Sequence, residues 1–204
     1  MDSPRASQVD ISFALVGDSL PREHRQALAE ALTTRLPWLA AMPLAAVHRI
    51  KVSDGDGAMA LLSGRSRLGF RLPREQAGAL ADLRGARFEL GGCRLQVAGE
   101  PRQRELLPYG ALYAHSVVAE DEDELAFLAD IDAELLQLGV ACRRMCGRLQ
   151  RLAGEARPLS AFSLMLDRLS TADALHILEQ GVGPHRLWGC GVFVPHRSAT
   201  AVGL

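Results

Sequence analysis

Lysine is almost missing from this sequence of 204 residues: Lys51 is the only example, so nearly all of the 23 basic side chains are arginines. Arginine suits bidentate contacts to phosphate and guanine better than lysine does. A GC-rich genome produces the same bias, and both explanations stay open. The formal net charge of −1 argues against a broadly basic surface, so any surface that binds nucleic acid must be local.

Cysteine and long apolar runs are scarce as well. The four cysteines, Cys93, Cys142, Cys146 and Cys190, show no disulfide framework, and a lone C-x3-C with His115 elsewhere is a weak pattern for zinc. No secretory leader is recognisable, and no apolar run approaches the roughly 18 residues of a transmembrane helix. We therefore expect a cytoplasmic protein with no metal, no small-molecule cofactor and no membrane partner.

Aromatic residues make up only 5% of the chain. Phe13, Phe70 and Phe162 fall in strand-like segments that should face a core, which leaves them unable to stack on bases. A typical reader of single-stranded nucleic acid interleaves aromatic and basic side chains, and this sequence lacks that pattern. Trp188 could stack on a base or close its loop onto the core, and we favour the second.

Charge is present but unevenly distributed. Residues 120–134 contain eight acids and no base, whereas residues 142–157 contain five arginines and one glutamate. The acids have a simple explanation, because negative side chains at a helix N-terminus complement the helix dipole. The near-neutral sum therefore hides two opposed segments, of which the basic one is the candidate for binding a polyanion.

The first half of the chain predicts the order β-α-β-β-α-β. Apolar residues alternate in VDISFALVG, and they recur at helical spacing in the segment that follows. The predicted elements are a strand at 9–17, a helix at 21–36, a strand at 46–52, extended segments within 59–73, a helix at 74–83 and a strand or hairpin at 86–99.

The same order restarts after a linker from Pro101 to Pro108. The predicted elements are a strand at 111–119, a helix at 122–139, a basic hairpin arm at 140–154, a strand at 159–169, a helix at 170–180 and a last strand at 191–195. We predict an α+β fold of two tandem ferredoxin-like (βαββαβ) halves with a C-terminal glycine-rich loop. The domains are placed at 1–100 and 110–204, the second with the arginine-rich hairpin and the loop.

The loop lies in EQGVGPHRLWGCGVFVPHRS, residues 179–198, where four glycines occur within eleven positions. Ser170 is a plausible N-cap of the preceding helix and Gly181 a plausible C-terminal glycine. The order helix, glycines, strand is the reverse of the P-loop and dinucleotide fingerprints, which argues against a nucleotide-binding loop of the usual kind. Backbone N–H groups and Arg186 could still wrap a polyanion.

Two segments resemble a known family. FSLMLDRLSTADALHILEQGVGPHRLWGCGVFVP (162–195) and FALVGDSLPREHRQALAEALTTRLPWL (13–39) resemble the sixth Cas family, the CRISPR-associated repeat-RNA endoribonucleases of the RAMP superfamily. The short variant found in myxobacterial-type type I systems is the most similar. The resemblance covers nearly the whole chain in element order, and its motifs are specific at both ends and vague between residues 75 and 155.

The resemblance implies cleavage of CRISPR precursor RNA within its repeats, without metal, by attack of a ribose 2′-OH on the adjacent phosphate. The products are a 2′,3′-cyclic phosphate and a 5′-OH. The implied partner is the repeat RNA hairpin, which suits the scarcity of aromatic residues. Retention of the product and association with other CRISPR effector subunits stay open. The alternatives are a non-catalytic RNA-binding RAMP subunit of an effector complex, or a plain ferredoxin-like interaction module.

Histidine is the natural base for this reaction, because its neutral form is populated at pH 7. His24 occupies the place of the family's early-helix catalytic histidine, where the positive end of the helix dipole favours neutral imidazole. His48, at the start of the second strand, could be the acid or a second base, or a strand histidine that faces solvent. His176, amid leucines and isoleucine in a helix, should be structural.

Two groups of residues are predicted to bind RNA. The arginine-rich arm would contact phosphates and guanine edges of a stem, although strand alternation places only part of the set on one face; the alternative is a solvated arginine hairpin. The glycine loop would cradle the RNA backbone. The predicted residues are Arg143, Arg144, Arg148, Arg151, Gly181, Gly183, His185, Arg186, Gly189 and Gly191.

Overall fold

The computed structural model describes residues 6–154 and 157–196. They form a mixed α+β protein, which confirms the predicted fold class, and they divide into two compact units. One unit comprises Ser7–Glu105 with Leu187–Gly189, and the other comprises Leu106–Arg186 and the chain from Cys190 onward. The ends of the predicted domains, 1–5 and 197–204, and residues 155–156 lie outside the described residues.

The N-terminal unit contains one large and one small antiparallel sheet. Its strands are β1 (Gln8–Val16), β2 (Ser19–Pro21), β3 (Ala46–Val47), β4 (Ser53–Asp54), β5 (Met59–Leu61), β6 (Arg67–Pro73), β7 (Arg87–Leu90) and β8 (Cys93–Glu105). The large sheet has the order β3-β6-β1-β8-β7, and the small one β2-β5-β4. The unit also contains helix α1 (Arg25–Arg35), two 3₁₀ helices, Pro37–Leu39 and Arg74–Leu83, and most of a third, Arg186–Trp188.

One face of the large sheet is covered by the helical segments. The odd positions of β1, from Val9 to Leu15, belong to a hydrophobic core that also contains Leu28 and Leu32 of α1. Side chains alternate along a strand, so the even positions of β1 face the other side. Asp10 is one of these, and it therefore lies on the face away from α1.

The predicted linker from Pro101 to Pro108 is only partly a linker. Strand β8 continues to Glu105, where it pairs with Val9 of β1. Between Ser12 and Ala14 the register with β8 shifts, and Gly99 has a φ of 72° there. Such a bulge tolerates Pro101, because a bulged residue need not donate to the ladder.

The segment 74–83 is helical as predicted, but it is a 3₁₀ helix. Ala77, Leu80 and Leu83 pack against the core at a spacing of three residues. That spacing aligns side chains on one face of a 3₁₀ helix, whereas an α-helix alternates between three and four. Gly78 in the middle also lowers the α-helical propensity of this segment.

The C-terminal unit is a four-stranded antiparallel sheet with two α-helices. Its elements are β9 (Ala111–Ala119), α2 (Glu124–Gln137), β10 (Arg143–Leu152), β11 (Leu159–Asp167), α3 (Thr171–Gln180) and β12 (Phe193–Pro195). The strand order is β10-β11-β9-β12, so the basic arm is an edge strand that pairs with β11. None of the described helices is both long and apolar enough to cross a membrane.

Helix ends in this unit follow the sequence closely. The Asp123 carboxylate accepts hydrogen bonds from the backbone N–H groups of Leu125 and Ala126, which caps α2. The Ser170 hydroxyl oxygen accepts one from the backbone N–H of Asp173, and Gly181 ends α3 with a φ of 70°. The acidic run at a helix start, the Ser170 cap and the Gly181 stop are thereby confirmed.

The core of the C-terminal unit generates a stability prediction. Leu164, at the centre of β11, has no exposed surface, whereas Leu125 on α2 is 79% exposed. We expect Leu164→Ala to lower the free energy of unfolding by about 2–5 kcal/mol, because it removes buried apolar surface and leaves a cavity. Leu125→Ala, as the matched control, should change it by less than about 0.5 kcal/mol. Guanidinium unfolding followed by circular dichroism measures both, and equal losses would contradict the assignment of Leu164 to the core.

Candidate active site and nucleic-acid interface

His24 lies at the start of α1, directly after strand β2 and its turn. It is the N-cap residue of the helix, and its side chain is buried, with 6% exposed. Its Nδ1 is 2.7 Å from the carbonyl oxygen of Pro21. Because a carbonyl only accepts hydrogen bonds, Nδ1 is the protonated nitrogen and Nε2 is the acceptor in the neutral ring. The ring is thus held in the tautomer that can take a proton at Nε2.

The environment of His24 also favours the neutral ring. Burial lowers the pKa of His24 from its ordinary value of 6.5, and the cation of Arg25 lowers it further. The hydrogen bond to Pro21 acts in the opposite direction without cancelling these effects. A neutral imidazole at pH 7 is what a general base requires.

Arg22 is fixed next to this histidine. Its guanidinium donates to the carbonyl oxygens of Gly57 at 2.9 Å and Gly55 at 3.0 Å, and it lies 3.5 Å from the carboxylate of Asp54. These contacts tie the turn after β4 to the segment that leads into α1. His24 therefore has a cationic residue on either side of it within the chain, Arg22 and Arg25.

His48 lies elsewhere in the same unit. Its Nε2 is 2.9 Å from Oδ1 of Asp10, and Asp10 also accepts a bidentate pair of hydrogen bonds, at 2.8 and 2.9 Å, from the buried Arg71. Asp10 is on the sheet face away from α1, whereas His24 begins α1. The structure therefore does not bring His48 and His24 together as an acid–base pair, since His48 is engaged by Asp10 on the opposite face.

The Asp10 carboxylate is held in its charged form. Burial alone would raise the pKa of Asp10, but the hydrogen bonds and charges of His48 and Arg71 outweigh it and hold that pKa well below its usual range. A buried guanidinium needs such a partner, because an unpaired buried charge is strongly destabilising. The network connects β1, β6 and the segment after β3, and it therefore stabilises the structure of this unit.

The four arginines of β10 divide between the two faces of the C-terminal sheet. Arg144 forms an ion pair with Asp132 of α2, and Arg151 donates to the Glu122 carboxylate at 2.7 and 3.1 Å. These two lie on the helix side with Cys146, which packs against the core. Arg143 and Arg148 are exposed and point, by alternation across a bulge after Cys146, to the other face.

In the glycine loop, the side chain of Arg186 contacts other groups of the protein. Its side chain is buried, with 9% exposed, and it donates to the carbonyl oxygens of Gln180 at 2.5 Å and Glu179 at 3.0 Å. These are carbonyls at the C-terminal end of α3, where a cation is stabilised by the helix dipole. The side chain of Arg186, which the sequence predicts to bind phosphate, caps the C-terminal end of α3 in the structure.

The loop does hold an anion through its backbone, and that anion belongs to the protein. The N–H of Gly183 donates to both carboxylate oxygens of Glu134, at 2.9 and 3.1 Å. Glu134 comes from α2, so this contact ties the loop to the neighbouring helix. The predicted backbone cradle at Gly183 is therefore filled by a carboxylate of the same unit.

The remaining glycines of the loop are required by close approach. A Cβ at Gly181 would lie 1.7 Å from Nη1 of Arg186, and one at Gly191 would lie 2.0 Å from the carbonyl oxygen of Val182. Gly189 belongs to the N-terminal unit and would place a Cβ 3.1 Å from the carbonyl oxygen of Val47. Pro184 and His185 are the exposed residues between Gly181 and Gly191, and His185 has a φ of 63°.

The two cysteines of the C-x3-C pattern are poorly suited to be reactive or metal-binding groups. Cys142 and Cys146 pack against the core from β10, and burial raises the pKa of the Cys146 thiol to about 11. A protonated thiol is a poor nucleophile and a poor ligand. Within residues 6–154 and 157–196, no group of three or more His, Cys, Asp and Glu side chains is arranged to hold a metal ion.

Comparison with known proteins identifies the family. The model of the Cas6 CRISPR family matches residues 9–198 of this chain. The chain belongs to the Cas6 family. The CRISPR-associated endonuclease Cas6 of Myxococcus xanthus (strain DK1622) is 32% identical over 195 residues, which are 95% of this chain and 84% of that protein. The resemblance drawn from the two ends of the sequence is confirmed.

Solved structures show the same fold. A CRISPR-associated protein Cas6 has a TM-score of 0.66 at 12% identity, and the match covers 93% of this chain and 100% of that one. An RAMP protein binding different RNA substrates has a TM-score of 0.60 at 12% identity, covering 91% and 98%. The endoribonuclease Cse3 bound to a 19-nucleotide RNA has a TM-score of 0.51 at 12% identity, covering 93% and 98%.

Two features of this Cas6 chain escaped the sequence analysis. The contact between Glu134 and Gly183 joins residues 49 positions apart, and the link between Asp10 and Arg71 spans 61. The sequence contains a signal for the contact between Asp10 and Arg71, because both residues are polar at positions that alternate with core residues in predicted strands. It contains none for the contact between Glu134 and Gly183, because no pattern distinguishes Glu134 from the other acids of α2.

The close approach at Gly191 generates a second prediction. We expect Gly191→Ala to destabilise this Cas6 protein by about 2 kcal/mol or more, because a Cβ would clash with Val182 and the φ of 65° is unfavourable for alanine. Gly110→Ala is the control in the same unit, since the nearest atom to its Cβ would be the Leu169 carbonyl oxygen at 3.8 Å. Thermal unfolding measures both variants. A stable Gly191→Ala protein would show that the loop does not adopt the described conformation.

Proposed function

We propose that this Cas6-family chain is an endoribonuclease that cleaves CRISPR precursor RNA within its repeats. The observation that carries the proposal is the state of His24: its Nδ1–H is fixed on the Pro21 carbonyl, its pKa is lowered, and Nε2 is left as the acceptor. The Myxococcus xanthus relative is a CRISPR-associated endonuclease, which supports the same activity for this chain.

In the proposed reaction, His24 is the general base. Nε2 takes the proton of a ribose 2′-OH, and the 2′ oxygen forms a bond to the adjacent phosphorus as the bond from phosphorus to the 5′ oxygen breaks. The 5′ oxygen leaves in line with the attack and takes a proton from water, so the products are a 2′,3′-cyclic phosphate and a 5′-OH. No metal takes part in the proposed sequence of steps.

Charge develops on the phosphate as the 2′ oxygen attacks. Arg25 follows His24 directly and its positive charge lowers the pKa of that histidine, so the same charge would stabilise a phosphate that approaches the ring. Arg22 has no part in the proposal, because the carbonyls of Gly55 and Gly57 and the carboxylate of Asp54 hold its guanidinium. His48 has no part in the proposal, because Asp10 engages it on the other face of the sheet.

The proposed substrate is the hairpin of the repeat. Arg143 and Arg148 are exposed on β10, and His185 is exposed in the glycine loop, which supports the proposal that these residues contact RNA. The proposal leaves out Arg144, Arg151 and Arg186, because carboxylates or helix carbonyls hold them. Since its substrate is a transcript, we place the protein in the cytoplasm.

We also propose that each unit is a ferredoxin-like half. Numbered along the C-terminal unit, the strand order β10-β11-β9-β12 is 2-3-1-4 with a helix after the first and third strands. When β7, an additional strand at the outer edge, is left out, the N-terminal order β3-β6-β1-β8 is also 2-3-1-4, with the 3₁₀ helix Arg74–Leu83 as the second helix. These orders support two tandem βαββαβ halves.

A second candidate is a non-catalytic RNA-binding subunit. The burial of the His24 ring favours it, since a base must reach its substrate, and the similarity to an RAMP protein binding different RNA substrates is compatible with it. Binding without cleavage distinguishes this candidate from the enzyme.

The deciding experiment is cleavage of a labelled repeat hairpin in EDTA. We expect His24→Asn to lower the single-turnover rate by about 100- to 10,000-fold, the usual contribution of a general base. Asparagine keeps a donor for the Pro21 carbonyl, so the fold should survive. A 2′-deoxy ribose at the cut site should abolish cleavage, and wild type should leave a 2′,3′-cyclic phosphate.

The control is His48→Gln, which alters the other candidate histidine and should retain activity. Undiminished cleavage by His24→Asn would rule out His24 as the base. Tight hairpin binding by wild type with no cleavage would replace the endonuclease by the binding subunit.

A pH dependence follows from the lowered pKa of His24. The base is active when neutral, so the rate should fall as the ring becomes protonated, with the midpoint of this fall below the ordinary value of 6.5. The measurement is the single-turnover rate between about pH 4.5 and 8. The residual activity of His24→Asn should lack this acid limb. An acid limb centred above 6.5 in wild type is the result that this mechanism does not allow.

A further inference from the structure

The C-terminal sheet has a second apolar surface, on the face away from α2 and α3. One row of cross-strand neighbours runs through all four strands: Val194 lies opposite Tyr113, Tyr113 opposite Met165, and Met165 opposite Met145. The strand neighbours of these residues, such as Ala114 and Leu164, belong to the core. Among the described residues, neither hydrophobic core includes the four side chains of the row.

Tyr113 is the centre of this surface, which we call the Tyr113 platform (Tyr113, Met145, Met165 and Val194). Two imidazole rings border the tyrosine: His196 with a centroid distance of 5.5 Å and an interplanar angle of 36°, and His115 at 6.2 Å and 70°. Val194 is 38% exposed and His196 is exposed, while Tyr113 and the two methionines are half-buried. The strands thus present aromatic and thioether groups that remain accessible.

Positive charge flanks the platform on one side. Arg143 and Arg148 of β10 point to this face and are exposed, whereas Arg144 and Arg151 are paired with acids on the helix side. Asp167 lies opposite Arg143 in the register, and the described residues contain no ion pair between the two. β10 is two strand spacings, about 10 Å, from β9, a distance that one nucleotide and an arginine side chain together span.

We propose that the Tyr113 platform binds a single-stranded nucleotide of the RNA, with the base stacked on Tyr113 and the neighbouring phosphates held by Arg143 and Arg148. Every base has a π face that stacks on an aromatic ring, and arginine adds the backbone contact. A paired A-form stem hides its base faces, so an apolar platform suits the unpaired RNA beside a hairpin. This inference rests on the proposed function, because it assigns a second subsite to the same RNA.

The test measures binding of a short oligouridine that contains one central 2-aminopurine, whose fluorescence falls when the base stacks. We expect Tyr113→Leu to weaken binding by about 5- to 100-fold and to abolish the fluorescence change, as loss of one stacked base does. Tyr113→Phe keeps the ring and should bind within about twofold of wild type. Tyr109→Leu, which removes the exposed tyrosine just before β9, should bind as wild type does.

The phosphate contacts are tested separately, which keeps the proposal falsifiable if Tyr113→Leu unfolds. The double variant Arg143→Gln with Arg148→Gln should lower the slope of log affinity against log salt concentration by about 1.4, since each single-strand phosphate contact contributes about 0.7. Arg144→Gln with Arg151→Gln is the matched pair and should leave the slope unchanged. Equal slopes for both pairs, or wild-type binding and quenching by a folded Tyr113→Leu, would overturn the platform.

Failure of the platform and failure of the nuclease are distinguishable. If wild type cleaves the repeat hairpin while Tyr113→Leu binds the oligouridine normally, the platform is wrong and the endonuclease stands. If wild type binds without cleaving and Tyr113→Leu loses the quenching, the platform stands and the endonuclease is wrong. Tighter binding of a duplex than of the single strand would overturn the choice of unpaired RNA.

Discussion

A single constraint organises the C-terminal unit: two helices cover only one face of a four-stranded sheet. Each strand therefore has a face that must be apolar and a face that need not be, and the two-residue period sorts every side chain between them. The arginines of β10 show this sorting. On the covered face, Arg144 and Arg151 reach beyond the core to acids at the margin of α2, while Arg143 and Arg148 are exposed on the opposite face. The face that each arginine occupies therefore decides whether it is paired within the protein or exposed to solvent.

The need to pair buried charged groups explains several other contacts in the structure. Asp10 is shared by His48 and Arg71, and Arg186 lies on the carbonyls of α3. Each contact satisfies a group that would otherwise cost several kcal/mol in the interior. The glycine loop is shaped by these needs: Gly181 makes room for the Arg186 guanidinium, and Gly183 donates to Glu134. The glycines of this loop are therefore required for contacts within the protein, whether or not the loop also binds a ligand.

The sequence predicts the helices and strands better than it predicts which side chains contact each other. Alternation and helical spacing locate the strands and helices, and Ser170 and Gly181 mark the ends of α3. The extension of β8 was hidden by Pro101, because a bulge that tolerates proline leaves no local pattern. The sequence singles out His24 because its position in the chain and its chemistry agree. It does not reveal the partner of His48, because Asp10 is 38 residues away and becomes adjacent only through the sheet register.

Tyr113 illustrates the same limit. In ALYAHSVVA it is one polar-tipped aromatic residue among alternating apolar ones, and the strand itself does not reveal which side the helices will cover. Only the register across β12, β9 and β11 shows that it continues a row of apolar neighbours. The scarcity of aromatic residues, which argued against base stacking, says nothing about where the few that exist are placed.

β10 is also an edge strand, and this has a consequence for the behaviour of the protein in solution. An edge exposes unpaired backbone groups that can template another strand, and natural proteins protect such edges with charged side chains. Exposed Arg143 and Arg148 provide that protection, since two copies of the edge repel each other. The two side chains that we propose hold RNA phosphates therefore also protect the β10 edge from pairing with a second copy of the protein.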